Sequence, residues 1–70
     1  MIFPRIKELR EYNGKTQKEI SGYLSCDQSL YSKYERGGRE VPVIIVIKLA
    51  KYYGVSCDYI LGLTNNKRRY

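Results

Sequence analysis

Four residues with hydrogen-bonding side chains fall on the open side of one short predicted helix: Gln28, Ser29, Ser32 and Lys33. Short or planar groups of this kind can meet base edges in the major groove of DNA, which is about 12 Å wide and admits a helix. An ordinary solvent-exposed helix can carry the same residues by chance. The pattern alone therefore leaves two alternatives, a base-contacting surface and a hydrated one.

The residue types give little indication of a metal site or of an enzymatic active site. The 70 residues include no histidine and two cysteines, Cys26 and Cys57, which lack CxxC spacing. We therefore predict no zinc site. Neither a glycine-rich phosphate loop nor a nucleophile elbow is present, and the thiols have no partner base. We predict that the protein is not an enzyme and needs no cofactor.

The charge balance favours a polyanionic partner. Thirteen Lys and Arg against seven Asp and Glu give a formal net charge of +6. Such a charge attracts nucleic acid or an anionic membrane surface, although solubility explains it equally well. The longest apolar run, Val41 to Ile47, is far shorter than the ~20 residues of a membrane span. Since Met1 to Pro4 lead directly into charged residues, we expect a cytoplasmic protein with reduced thiols, and a disulfide is the alternative.

Apolar periodicity, capping residues and turn residues predict an all-α fold of five helices. The predicted helices are Arg5–Tyr12, Thr16–Leu24, Gln28 to Glu35 or Arg36, Pro42–Tyr53 and Cys57–Leu61. Thr16 and Glu19 form a capping box at the start of the second helix, and Asp27 is expected to cap the third. Only Ser25 and Cys26 separate these two helices, which is the spacing of a tight turn.

The apolar positions also predict which side chains face the core. In the third helix these are Leu30 or Tyr31, together with Tyr34. The fourth helix is expected to present a wide apolar face of Val43, Val46, Ile47, Leu49, Ala50 and Tyr53. Most of the eight tyrosines are expected to pack in the core rather than to stack on bases. We therefore also place the side chains of Tyr23 and Tyr59 inward, and the side on which Tyr12 lies stays open.

Five blocks of sequence, in order, resemble the Cro/CI-repressor type of helix-turn-helix protein, the XRE family. They are RIKELR at 5–10, TQKEI at 16–20, YSKYERG at 31–37, IKLA at 47–50 and VSCDYILG at 55–62. The resemblance implies a five-helix lambda-repressor-like domain over residues 1–64, with the helix-turn-helix in the second and third helices. Residues 65–70 are then a frayed basic tail, which could grip DNA or be disordered.

The same resemblance implies roles for individual side chains. Gln28 matches the leading base-contacting residue of the third helix, with Ser29, Ser32 and Lys33 at the other groove-facing positions. Residues that match phosphate contacts are Gln17, Arg36 and Arg39, and Gln17 matches a residue that also supports the third helix. Arg10 and Glu35 match a partly buried ion pair that connects the first helix to the end of the third.

The implied function is sequence-specific binding of double-stranded DNA by a transcriptional regulator, with repression expected. A single domain of this size makes few base contacts, so we expect a homodimer on a palindromic operator. Ile44 lies where similar sequences usually carry an acidic residue, and the alternatives are an isolated surface isoleucine and a contact surface for a second subunit. We predict no small-molecule ligand and no membrane partner. The alternative is a protein-interaction module, or an antitoxin-like modulator, that uses the hydrophobic surface of the fourth helix.

Overall fold

The computed structural model describes residues 2–68, and five helices form the whole regular structure of that part of the chain. They are α1 Pro4–Tyr12, α2 Gln17–Leu24, α3 Gln28–Arg36, α4 Val43–Tyr53 and α5 Cys57–Leu61. No strand occurs between residues 2 and 68. The prediction of an all-α fold with five helices is confirmed. The first helix begins one residue earlier than predicted, at Pro4. The second and fourth helices begin one residue later, because Thr16 and Pro42 are their N-caps.

Local signals specify both ends of α2. The Thr16 hydroxyl accepts from the Glu19 N–H at 3.1 Å, and the Glu19 carboxylate accepts from the Thr16 N–H at 2.9 Å. The predicted capping box is therefore present. At the other end of α2, Ser25 adopts a left-handed conformation with φ of +57°. Asp27 precedes α3, but its side chain makes no capping hydrogen bond, so that part of the prediction is wrong.

The core lies between all five helices and includes the inward face of α3. Tyr31 is fully buried and Tyr34 nearly so, which resolves the choice between Leu30 and Tyr31, because Leu30 is only half-buried. The other buried apolar residues are Ile6, Leu9, Ile20, Leu24, Ile45, Val46, Leu49, Ala50, Val55 and Ile60. The burial of apolar area from each helix is the main favourable contribution to folding.

The prediction for α4 is confirmed for Val46, Leu49 and Ala50, which are buried, and wrong at the start of the helix. Val43 and Ile47, expected in the core, are 75% and 36% exposed, whereas Ile45 is buried. The cause lies in the unbroken apolar run at the start of the helix, since no polar residue marks its solvent side. The core stripe of α4 follows Ile45, Val46, Leu49 and Ala50.

Tyr23 also lies outside the core, contrary to prediction. Its side chain is 43% exposed, its ring lies 4.6 Å from that of Tyr52, and its hydroxyl donates to the Lys48 carbonyl at 3.2 Å. A tyrosine can cover apolar surface with its ring while the hydroxyl reaches a backbone acceptor. Tyr53 and Tyr59 are half-buried, and Tyr12 is exposed.

The beginning of the C-terminal segment is held against the domain, so the prediction of a frayed tail is wrong as far as Lys67. The Arg5 guanidinium lies 4.1 Å from the centre of the Tyr59 ring and donates to the Thr64 carbonyl and the Asn65 side chain. The Ser56 N–H donates to the Lys67 carbonyl at 3.0 Å. Arg69 and Tyr70, the rest of the predicted tail, lie outside the described residues.

None of the helices formed by residues 2–68 combines the length and the apolar character needed to cross a membrane.

Candidate nucleic-acid interface

The predicted base-contacting residues form the outer side of α3. Gln28 is its first residue, and Gln28, Ser29 and Lys33 are exposed, whereas Ser32 is half-buried. The opposite side of the same helix is buried through Tyr31, Tyr34 and Glu35. One helix thus presents a row of hydrogen-bonding groups to solvent while its other side fixes its position.

A buried ion pair attaches the end of α3 to α1. Arg10 Nε lies 2.6 Å from Oε2 of Glu35, and a second guanidinium nitrogen donates to Oε1 at 3.2 Å. Only 2% of the Glu35 side chain is exposed. The remaining terminal nitrogen of Arg10 donates to the Lys15 carbonyl at 2.9 Å. Such two-point contact between guanidinium and carboxylate fixes the orientation of both groups.

The same carboxylate also holds α2. Gln17 is the first residue of α2, and its Nε2 donates to Oε1 of Glu35 at 3.0 Å. Glu35 therefore joins side chains from α1 and α2 beneath the outer face of α3. The resemblance implied a phosphate contact and support of the third helix for Gln17, and its second amide N–H has no acceptor among residues 2–68. The bond to Glu35 provides that support, although the identity of the partner could not be predicted because it depends on how α2 and α3 cross.

The electrostatics keep this network ionised near neutral pH. Burial alone raises the pKa of the Glu35 carboxyl, but hydrogen bonds from Arg10 and Gln17 outweigh it, so the pKa lies below its ordinary value. The hydrogen bond to Glu35 raises the pKa of Arg10. The Tyr31 hydroxyl has no hydrogen-bond partner among the described residues. Burial raises the pKa of this hydroxyl, and the neighbouring Glu35 carboxylate raises it further.

Cationic side chains gather at the C-terminal end of α3. Lys33 and Arg36 lie in its last turn, and Arg39 lies in the loop that follows. All three are exposed, and within residues 2–68 none of them forms an ion pair. Arg36 makes only a long contact, 3.4 Å, from its Nε to the Ser32 carbonyl. These charges are therefore available to an anionic partner.

Lys7 is a further cation that sequence analysis did not single out. It lies on α1 and lines a shallow groove together with Gln17, Ser32 and Arg36. Its position three residues before Arg10 places both on the side of α1 that faces α3, and that spacing could have identified it.

No group of three metal-ligating side chains is found between residues 2 and 68.

Comparison with known proteins gives a consistent set of relatives. A helix-turn-helix family model matches residues 6–60. The HTH-type transcriptional regulator ImmR of Bacillus subtilis is 41% identical over 58 residues, which are 83% of this chain and 46% of that protein. The HTH-type transcriptional regulator YobD of the same organism is 33% identical over 66 residues, 94% of this chain and 59% of that protein.

A phage protein is also similar. The cryptic phage CTXphi transcriptional repressor RstR of Vibrio cholerae is 33% identical over 55 residues, 79% of this chain and 50% of that protein. The chain thus spans about half to three fifths of the length of these curated relatives. The matched part includes all the helices that carry the candidate interface.

Proposed function

Since the chain belongs to the Cro/CI-repressor type of helix-turn-helix family, whose members are DNA-binding transcriptional regulators, we propose that it binds a specific sequence of double-stranded DNA and represses transcription. The observation that carries the proposal is the outer face of α3, where Gln28, Ser29 and Lys33 are exposed while Glu35 fixes the helix from below. We also propose that it acts in the cytoplasm, since the similar regulators come from a bacterium, in which the DNA lies in the cytoplasm. The proposed repression follows the similar phage protein RstR, which is named a transcriptional repressor.

In the proposed complex, α3 lies in the major groove with its N-terminal end closest to the bases. Gln28 donates to N7 and accepts from N6 of an adenine, a contact worth about 1–3 kcal/mol of discrimination against a wrong base. Ser29 and Ser32 hydrogen-bond to neighbouring base edges. Lys33 contacts guanine O6 and N7, or else a phosphate.

Phosphate contacts fix the register of α3 without reading sequence. We assign them to Gln17 at the start of α2, to Arg36 at the end of α3 and to Arg39 in the loop that follows. Because Gln17 is already held by Glu35, its amide is oriented before DNA arrives. Binding then costs less side-chain entropy than it would from a free glutamine.

We further propose that two copies bind a palindromic operator, with half-sites centred about 34–36 Å apart. One copy offers few base contacts, so two copies supply both affinity and site length. The 56% exposed side chain of Ile44 is our candidate for part of the contact between the copies.

Salt dependence of DNA affinity tests the proposal. If Arg36 and Arg39 of two copies each neutralise one phosphate, log K falls with log salt with a slope of about −3.5. Arg39→Gln is expected to reduce the magnitude of that slope by about 2, because a dimer loses two phosphate contacts. Lys48→Gln, on α4, is the matched control and is expected to leave the slope close to that of the wild type.

The alternative function is a protein-interaction module. The exposed apolar side chains Val43, Ile44 and Ile47 on α4 favour it, because a surface of this kind often binds another protein. A flat salt response, or no binding to any duplex, would support this alternative and refute DNA binding.

A further inference from the structure

A groove lies between α1, the start of α2 and the second half of α3. Lys7 from α1, Gln17 from α2 and Arg36 from α3 line it, and so does Ser32, one of the proposed base-contacting residues. Its volume of about 600 Å³ is many times the roughly 30 Å³ that one water molecule occupies, so a hydrated phosphate group fits. The groove therefore adjoins the face of α3 that is proposed to meet DNA.

The charges around the groove favour an anion. Arg10 and Glu35 also line it, but they neutralise one another across 2.6 Å. The remaining charges are the positive ones of Lys7 and Arg36 and the negative one of Glu11, which leaves a net charge of +1. These three side chains are exposed, and within residues 2–68 none of them forms an ion pair. An anion in the groove thus meets cations from two different helices.

Gln17 adds a neutral donor whose orientation is already fixed. One N–H of its Nε2 donates to Oε1 of Glu35 at 3.0 Å, and the other has no acceptor among residues 2–68. An oxygen of a phosphate group can accept from this second N–H while the two cations balance its charge. Donors of these two kinds, one oriented and the others charged, are those that bind phosphate in proteins.

We propose that Lys7, Gln17 and Arg36 together hold one backbone phosphate of DNA, so that α1 takes part in DNA binding beside α2 and α3. The inference rests on the proposed function, in which Gln17 and Arg36 have phosphate contacts and Lys7 has none. It adds Lys7, and it places all three side chains on the same phosphate. A phosphate held from three helices fixes the position of α3 on the duplex more firmly than a contact from one helix.

Neutral phosphates, introduced one at a time into the duplex that site selection yields, test the proposal. Each duplex carries a single methylphosphonate, which removes the charge of one phosphate. In each half-site we expect one position at which this change weakens wild-type binding about tenfold, because a hydrogen bond between charged groups is lost. Lys7→Gln and Arg36→Gln are both expected to bind unmodified DNA more weakly and to show a smaller penalty at that same position, with unchanged penalties elsewhere.

Two variants serve as controls. Lys48→Gln removes one positive charge from α4 and is expected to show the wild-type penalty at every position, whereas Lys7→Arg keeps the cation in the groove and should keep the penalty. Circular dichroism checks that each variant folds, and no loss of fold is expected because Lys7 is exposed. The proposal is overturned if Lys7→Gln and Arg36→Gln affect different phosphates. It is also overturned if Lys7→Gln reduces all penalties equally, as long-range attraction alone would.

A second measurement distinguishes the DNA backbone from free phosphate as the source of the anion. In the complex with DNA, the NMR signal of the Gln17 side-chain amide is expected to be insensitive to added inorganic phosphate, because the site is filled. A shift of that signal would show that the groove stays open to free phosphate, and would overturn the assignment to DNA. If the wild type binds DNA but no penalty depends on Lys7, this inference alone fails. If it selects no duplex at all, the proposed function fails, and the inference with it.

Discussion

Removal of Arg10 is expected to destabilise the domain strongly. In Arg10→Met the side chain still fills space, but Glu35 loses two hydrogen bonds, at 2.6 and 3.2 Å, and keeps only the one from Gln17 at 3.0 Å. The carboxylate is 2% exposed, so water cannot replace the lost donors. Breaking a buried ion pair in this way costs about 3–5 kcal/mol. A domain of this length has a total stability of about 4–10 kcal/mol.

Urea denaturation at pH 7, followed by circular dichroism, measures the loss. A second substitution, Glu35→Gln in the Arg10→Met background, removes the buried charge and is expected to recover part of the stability. In the wild type the pKa of Glu35 lies below its ordinary value, so the contribution of this carboxylate is fully present above the ordinary pKa and disappears as the pH falls through the lowered one. The difference between wild type and Arg10→Met should therefore shrink in acid. A loss below 1 kcal/mol at pH 7, or one independent of pH, would refute the reasoning.

Three further substitutions test local features of the fold. Ser25→Gly is expected to stabilise the domain by about 0.5–1 kcal/mol in urea denaturation, because Ser25 adopts φ of +57° at a cost that glycine avoids; an unchanged midpoint would contradict this. Gly37→Ala is expected to cost about 1–2 kcal/mol, since φ is +78° and the new Cβ would lie 3.1 Å from the Cβ of Ile2. Lys67→Ala removes a cation 5.0 Å from the Tyr12 ring and should lower stability by up to about 1 kcal/mol without altering the salt dependence of DNA binding; a smaller salt slope would show that Lys67 contacts DNA.

Local sequence signals predicted the helices well. Thr16 and Glu19, three residues apart, form the capping box that specifies the start of α2. Three helices end at a glycine in the left-handed conformation, namely Gly37, Gly54 and Gly62. These signals need no knowledge of the rest of the chain. The start of α2 and the ends of α3, α4 and α5 therefore follow from neighbouring residues alone.

Features that depend on packing were harder to predict. The inward side of α4 could not be read from an apolar run with no polar residue to break it, so Val43 and Ile47 were placed wrongly. The hydroxyl of Tyr23 reaches the Lys48 carbonyl, and Gln17 reaches Glu35, only because separate helices cross at those points. Attachment of the tail likewise depends on Arg5, which lies at the other end of the chain.

Selection of binding sites from random duplexes tests whether Gln28 recognises a base. The wild type is expected to select a palindrome, and Gln28→Ala is expected to lose its preference at one symmetric pair of positions. Arg39→Gln is the matched control, because a lost phosphate contact weakens binding to all sequences alike and leaves the selected motif unchanged. If Gln28→Ala selects the same motif as the wild type, α3 does not read DNA in the way proposed.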